Sequence, residues 1–220
     1  RLAHELDVLA ALLAVRRPAV TSGWSAAILH GLPMPIAMAG QPPAVVTLTT
    51  NAGRAGTPIP GVRLHAGPLN ADHVVRLGEV ALTTPARTAV DLARWADRPV
   101  DAVAVVDAVL NRGEAVKPHL AAILQRFRSW PGMELARWII DAADPNAESP
   151  LESHSRIMFV QQGLPAPESQ VEIPDQQGRV IGRVDFLWRD MSTIGEADGR
   201  LKYQIGDAVY REKQREDRLR

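Results

Sequence analysis

Three acidic residues stand at strand spacing near the end of the chain. In Arg183–Trp188, alternation sends Val184, Phe186 and Trp188 to one face and Arg183, Asp185 and Leu187 to the other. Asp185 is thus a charge set into a core-seeking strand. In the next segment Glu196 and Asp198 are two residues apart and share a face, with Gly195, Ala197 and Gly199 small enough opposite them for close packing. If the two segments pair through the short Arg189–Thr193 link, three carboxylates converge at neighbouring strand ends. Carboxylates that close repel and raise one another's pKa. A hard divalent cation, Mg²⁺ or Mn²⁺, removes that cost. It can also bind a phosphodiester oxygen, lower the pKa of a bound water and offset leaving-group charge. The expected chemistry is metal-dependent phosphodiester hydrolysis, with Asp185, Glu196 and Asp198 as metal ligands.

These residues need a scaffold, and the last third of the chain reads as one. Ser149-Pro150-Leu151-Glu152 is a capping-box pattern with Pro at the first helical position, and the helix it opens ends at Gly163-Leu164-Pro165. Ser169–Ile173 reads as a short strand and Asp175–Gly178 as a turn. Val180–Trp188 is a long strand, and Ser192–Asp198 its antiparallel neighbour. Ile205–Arg220 is helical. Each acid also has a plainer role open to it. Glu152 belongs in a capping box anyway, a contribution on the order of 1 kcal/mol. Asp185 could pair with Arg183 on an edge strand, and Asp198-Gly199 is a hairpin dipeptide. Arg211, Arg215 and Arg218 form a helical stripe suited to a phosphate backbone. Glu212 and Glu216 run parallel to it, which leaves an ion-paired solvent face as the alternative. His154 lies on the helix that carries Glu152 and is read as packing or surface.

The front of the chain has no comparable cluster. A helix is expected over residues 2–15, with Leu2, Leu6, Leu9, Leu12 and Leu13 on one side. A shorter one covers Trp24–Leu29, capped by Thr21 or Ser22 and stopped at Gly31 and Pro33. The β-branched runs Val45–Thr50 and Val62–His65, separated by the Gly- and Pro-rich Gly53–Gly61, suggest a hairpin with a long loop. Glu79–Leu82 is a third strand, and Pro85 opens a helix reaching Trp95. Val100 to Ala143 is helical, with Val103, Val106, Val109 and Leu110 at helix spacing, then Leu120, Leu124 and Phe127, then Leu135, Trp138 and Ile139 after Pro131. Arg87, Thr88 and Asp91 are read as bracing their helix, and Trp24, Trp95, Trp130 and Trp138 as core or interface aromatics. Asp141–Ser149 breaks the pattern. The expected domains are 1–145 and 146–220, and the expected class is α+β.

Composition narrows the chemistry further. The 220 residues include no cysteine, which excludes disulfides, thiolate zinc sites and a Cys nucleophile. The six histidines show no metal-ligand spacing. Formal net charge is zero, so any nucleic-acid contact must be local. No apolar run is long enough to span a membrane, and a cytoplasmic location is expected. No G-x-S-x-G, P-loop or G-x-G-x-x-G segment is present, so triad hydrolases, NTPases and nucleotide cofactors are disfavoured. The chain begins with Arg1 rather than Met, so an upstream segment is expected in the natural protein.

The segments G-R-V-D-F-L-W, I-G-E-A-D-G-R-L-K-Y and E-K-Q-R-E-D-R-L-R together resemble the very-short-patch-repair-like branch of the PD-(D/E)xK nucleases. The resemblance covers about the last third of the chain. It implies a restriction-endonuclease-like mixed sheet flanked by helices. Separately, the order helix, three strands, helix stops at Arg220, and a further strand is expected beyond it. Glu152 (or Glu148) matches the helix acid and Asp185 the metal-binding Asp. Glu196 and Asp198 match the E-x-D pair, and Arg215 and Asp217 the charged helix. The commoner family form has Lys where Asp198 stands, and Lys202, four residues on, is placed to assist the water or the phosphate instead. In the front part, S-G-W-S-A-A-I-L-H-G-L-P and T-T-P-A-R-T-A-V-D-L-A-R resemble the AbiEi-type antitoxins, which carry a DNA-binding winged helix that is not readable in this chain. Two functions follow. One is a metal-dependent endonuclease acting on DNA. The other is an antitoxin or transcriptional regulator, with a toxin or other protein partner, whose degenerate nuclease-like domain serves only for binding. A protein-interaction scaffold is the plainest third reading.

Overall fold

A computed structural model of the chain describes residues 2–35, 38, 44–51 and 58–198. Within these the fold is α+β, with seven α-helices, a mixed five-stranded sheet and a three-stranded antiparallel sheet. The chain divides into two compact units, Arg1–Pro145 and Asn146–Arg220. Among the described residues no helix is long and apolar enough to cross a membrane.

The first unit orders its sheet β3-β2-β1-β5-β4. The strands are β1 (Val20–Thr21), β2 (Val46–Thr50), β3 (Val62–Ala66), β4 (Val74–Leu77) and β5 (Val80–Thr83). All five residues of β2 are buried, as its β-branched run requires of a strand enclosed on both faces. β2 and β3 pair in parallel, Val46 with Val62 through Thr50 with Ala66, and do not form the expected hairpin. The eleven residues between them approach the length a parallel crossover needs, whereas a hairpin needs only a few. β4, which periodicity did not reveal, joins β5 antiparallel through Gly78-Glu79, with Gly78 in the left-handed region at φ +56°.

Helix α1 (Leu2–Val15) forms where expected but turns a different side inward. His4, Val8, Ala11 and Val15 are buried, while Leu2, Leu6 and Leu13 are exposed. Small residues allow the close approach that the leucines would prevent. Helix α2 (Gly23–His30) ends at Gly31 in the left-handed conformation. Ser22 precedes it but does not cap it, since its hydroxyl instead accepts from Thr49 Oγ1 at 2.8 Å. Helix α3 (Pro85–Arg94) is the hub: α2, β5, α4 (Pro99–Asn111), α5 (Lys117–Arg126) and α6 (Met133–Ala142) all pack on it, and Ala86 through Ala93 are buried without exception.

In the second unit α7 (Pro150–Gln161) precedes β6 (Glu168–Pro174), β7 (Val180–Trp188) and β8 (Thr193–Gly195), in the sheet order β6-β7-β8. Alternation along β7 buries Val184, Phe186 and Trp188. Phe159 of α7 meets the Phe186 and Trp188 rings edge-on, at centroid separations of 5.4 and 5.1 Å. Gly195 lies against this pair, and a Cβ there would stand 3.1 Å from the Trp188 ring. The described strands of this unit are all antiparallel.

Candidate active site

The helix acid and the strand acid come together in the second unit, on a third residue. Ser149 caps α7 by accepting from the Glu152 N–H at 3.2 Å, while its own hydroxyl donates to Glu152 Oε1 at 2.6 Å. The Glu148 N–H donates to Glu152 Oε2 at 2.9 Å, which completes a reciprocal cap and holds the Glu152 carboxylate in one position. That carboxylate is buried, yet it is not spent on the helix alone. Gln170 Nε2 donates to Glu152 Oε2 at 2.9 Å and to Asp185 Oδ1 at 3.1 Å. One amide group therefore ties a helix carboxylate to a strand carboxylate 33 residues further on.

Asp185 has a second bond that explains the length of β8. Its Oδ2 accepts from the Ala197 N–H at 2.8 Å. The ladder runs Trp188–Thr193, Leu187–Ile194 and Phe186–Gly195 and then stops, although residues 192–198 were expected to form one strand. A side-chain acceptor has taken the backbone donor of the residue between Glu196 and Asp198. The E-x-D segment is thus fastened to Asp185 by its middle residue, with both of its acids exposed.

Gln170 carries a backbone strain. It lies inside β6 between the pairs Ser169–Phe186 and Val171–Val184, but its φ is +55°. For a residue with a Cβ the left-handed region costs about 1–2 kcal/mol. It is the only positive-φ residue inside a strand among those described. Sequence reasoning missed it, because a glutamine in a half-polar strand looks like surface. The register, which sets residue 170 opposite Asp185, is the signal that would have found it.

The other candidates are placed as follows. Glu148, which lies before the α7 cap, points its carboxylate to Arg183 at 2.8 Å, so that of the two candidates for the helix acid Glu152 is the one linked through Gln170 to Asp185. His154 is half-buried on α7. Among the described residues no group of three or more His, Cys, Asp or Glu is arranged to hold a metal ion, so the expected convergence of Asp185, Glu196 and Asp198 is not seen there. Lys202, Arg211, Arg215, Asp217 and Arg218 lie outside the described residues. The pair Glu152 and Asp185 still fits a small hard cation. Mg²⁺ commonly takes one or two protein carboxylates and keeps water on its remaining positions.

The first unit has a polar cluster of a different kind. Arg87 Nε and Arg94 Nε donate to the two oxygens of Asp91 at 2.9 and 3.0 Å. Arg87 Nη1 donates to the Pro68 carbonyl at 3.1 Å and to His73 Nδ1 at 3.2 Å. Both guanidinium groups lie over the Trp130 ring, at 5.0 and 4.5 Å from its centroid, and Arg94 also covers Trp95. His65 stacks on Trp95 at 3.8 Å. This is the bracing expected of Arg87 and Asp91, and Thr88 ties the same helix to β5 through the Thr83 hydroxyl at 2.7 Å. Of the four tryptophans read as core or interface aromatics, Trp24, Trp95 and Trp130 are half-buried and Trp138 is exposed.

The chain is similar to two proteins of Mycobacterium tuberculosis, Uncharacterized protein MT2308 (strain CDC 1551 / Oshkosh) and Uncharacterized protein Rv2248 (strain ATCC 25618 / H37Rv). Each is 36% identical over 126 residues, which is 57% of this chain and 45% of the relative. The match thus spans less than half the length of these relatives. No family model matches the chain, and no solved structure was found to match it.

Proposed function

We propose that the second unit is a metal-dependent phosphodiester hydrolase acting on DNA. The observation that carries the reading is the Gln170 amide shared by Glu152 and Asp185. Two carboxylates from different elements are brought within reach of one small group, in the order helix acid then strand acid that the nuclease resemblance implies. A bound Mg²⁺ or Mn²⁺ would supply a Lewis acid for the phosphate and an activated water. The chain's part is to hold that group and to place the phosphodiester. Glu152 and Asp185 are the ligands, each immobilised by a neutral donor of the backbone or a hydroxyl. The Ala197 bond to Asp185 keeps Glu196 and Asp198 beside them, where they complete the site once substrate and cation are present. Lys202 is assigned to the water or the phosphate, and Arg211, Arg215 and Arg218 to the DNA backbone.

One observation favours the second reading, an AbiEi-like antitoxin or regulator whose nuclease-like unit only binds its partner. The donor between the two acids is an amide nitrogen, and a pair of carboxylates satisfied by an amide does not require a cation. Calorimetric titration of Mg²⁺ and Mn²⁺ into the full chain and into Asp185→Ala/Glu196→Ala, with plasmid nicking on the same samples, separates the two. Binding and nicking that both vanish in the double variant support the hydrolase. A folded wild type that binds neither metal sinks it and leaves the binding module.

A further inference from the structure

The carboxamide of Gln170 has a donor end and an acceptor end at equal reach from its backbone, and rotation about its Cγ–Cδ bond exchanges them. Glu152 and Asp185, when ionised, only accept hydrogen bonds, so with nothing else present the nitrogen end must face them, as it does. A cation between the same two carboxylates reverses the preference, because the group nearest to them would then need to offer an oxygen. The backbone at Gln170 is already committed to the left-handed conformation in the middle of β6, and the pairs on either side of it are intact. The side chain is therefore held to this position whichever end points inward.

We propose that Gln170 is a reversible placeholder and ligand. Its NH₂ group keeps Glu152 and Asp185 in place in the metal-free protein, and its carbonyl oxygen joins them on the cation. The inference rests on the metal-dependent reading of the site and adds a ligand from β6, outside the acids that the nuclease resemblance names. It also accounts for the amide nitrogen that favours the alternative reading.

The test follows the side-chain amide itself. In ¹H–¹⁵N spectra of the full chain, the Gln170 NH₂ pair is the one missing from Gln170→Leu. Saturating Mg²⁺ is expected to shift it as both protons leave the carboxylates. In Mn²⁺ calorimetry Gln170→Leu should weaken binding roughly 10- to 100-fold. Gln170→Glu should bind at least as tightly as wild type, because it offers an oxygen. A role as hydrogen-bond donor alone would make the Glu variant as weak as the Leu variant, and that outcome overturns the proposal. An unchanged affinity in Gln170→Leu overturns it too and leaves the hydrolase reading standing. A folded wild type that binds no Mn²⁺ removes both. If Gln170→Leu does not fold, the spectrum of Gln170→Glu assigns the amide pair, and a wild-type pair unmoved by Mg²⁺ overturns the proposal.

Discussion

The Arg87–Asp91–Arg94 cluster and the Glu152–Gln170–Asp185 cluster are built from similar materials to opposite ends. In the first, a single carboxylate with no exposure meets two guanidinium groups, and the aromatic rings of Phe127, Trp95 and Trp130 cover the cations. Charge is matched on the spot, and the geometry is closed by packing. In the second, two carboxylates share one neutral amide, their remaining bonds come from N–H groups and a hydroxyl, and two more acids stand exposed next to them. A compensated cluster is a brace. A cluster with negative charge held in fixed position by neutral donors is prepared for a positive group to arrive. Neither distinction can be read from residue type alone, since Asp91 and Asp185 are both acids between apolar neighbours.

If the first cluster is a brace, removing its acid should be the most damaging change in the chain. Asp91→Ala leaves two buried guanidinium groups without a counter-charge, and a loss of about 3–5 kcal/mol is expected in chemical denaturation. A loss below about 1 kcal/mol would mean that the aromatic sandwich alone compensates the arginines. Next in size is Gly132→Ala. Gly132 precedes α6 at φ +81°, and a Cβ there would run into the Arg94 carbonyl oxygen, so the ring stack around Trp130 has to shift. A destabilisation of about 2–3 kcal/mol is expected.

The second cluster should behave in the reverse way. Asp185→Asn keeps an oxygen to accept from Gln170 or Ala197 while removing the repulsion between the Glu152 and Asp185 carboxylates. Stability should stay within about 1 kcal/mol of wild type while Mn²⁺ affinity is lost. A melting curve and a calorimetric titration on the same sample check both halves. A large stability loss with metal binding intact would make Asp185 a second Asp91 and erase the contrast.

How much of this the sequence discloses depends on whether a local pattern or a distant neighbour decides the outcome. Val180–Trp188 is legible to the residue, because a nine-residue alternating run between a turn and a tryptophan has one solution. The α7 cap is legible for the same reason, and the division between the units falls within the Asp141–Ser149 break. The buried side of α1 is not legible. Leucine outranks alanine on any hydrophobic scale, yet the surface facing α1 admits Ala11 and excludes Leu13. The pairing of β2 with β3 also escapes, since loop composition marks a break without giving the direction of return. In the site, the acids announce themselves by type, whereas Gln170 acquires meaning only from the register that sets it opposite Asp185. The end of β8 depends on that same carboxylate.

The smallest expected effect concerns the brace under acid. Arg87 donates to His73 Nδ1, so that nitrogen must carry a lone pair and the imidazole must be neutral. Burial pushes the His73 pKa below its ordinary 6.5, and the nearby Arg87 and Arg126 act in the same direction while Asp72 and Asp91 oppose them. His65, stacked on Trp95 and facing Arg94, is lowered by burial as well. In the unfolded chain both would take up protons near 6.5, so the unfolded state binds more protons than the folded one just below that pH. The stability contributed by the neutral rings is therefore fully present above about pH 6.5 and declines as the pH falls below it. Each ring should contribute to a fall in stability between pH 7 and pH 5. Replacing His65 by Phe keeps a ring on Trp95 and removes the titration, so the pH slope of its denaturation midpoint should be shallower than that of wild type. An unchanged slope would place the acid sensitivity elsewhere. It would also show that the Arg94–Trp95–His65 stack tolerates a charged imidazole, which would make this end of the brace looser than its ring spacing suggests.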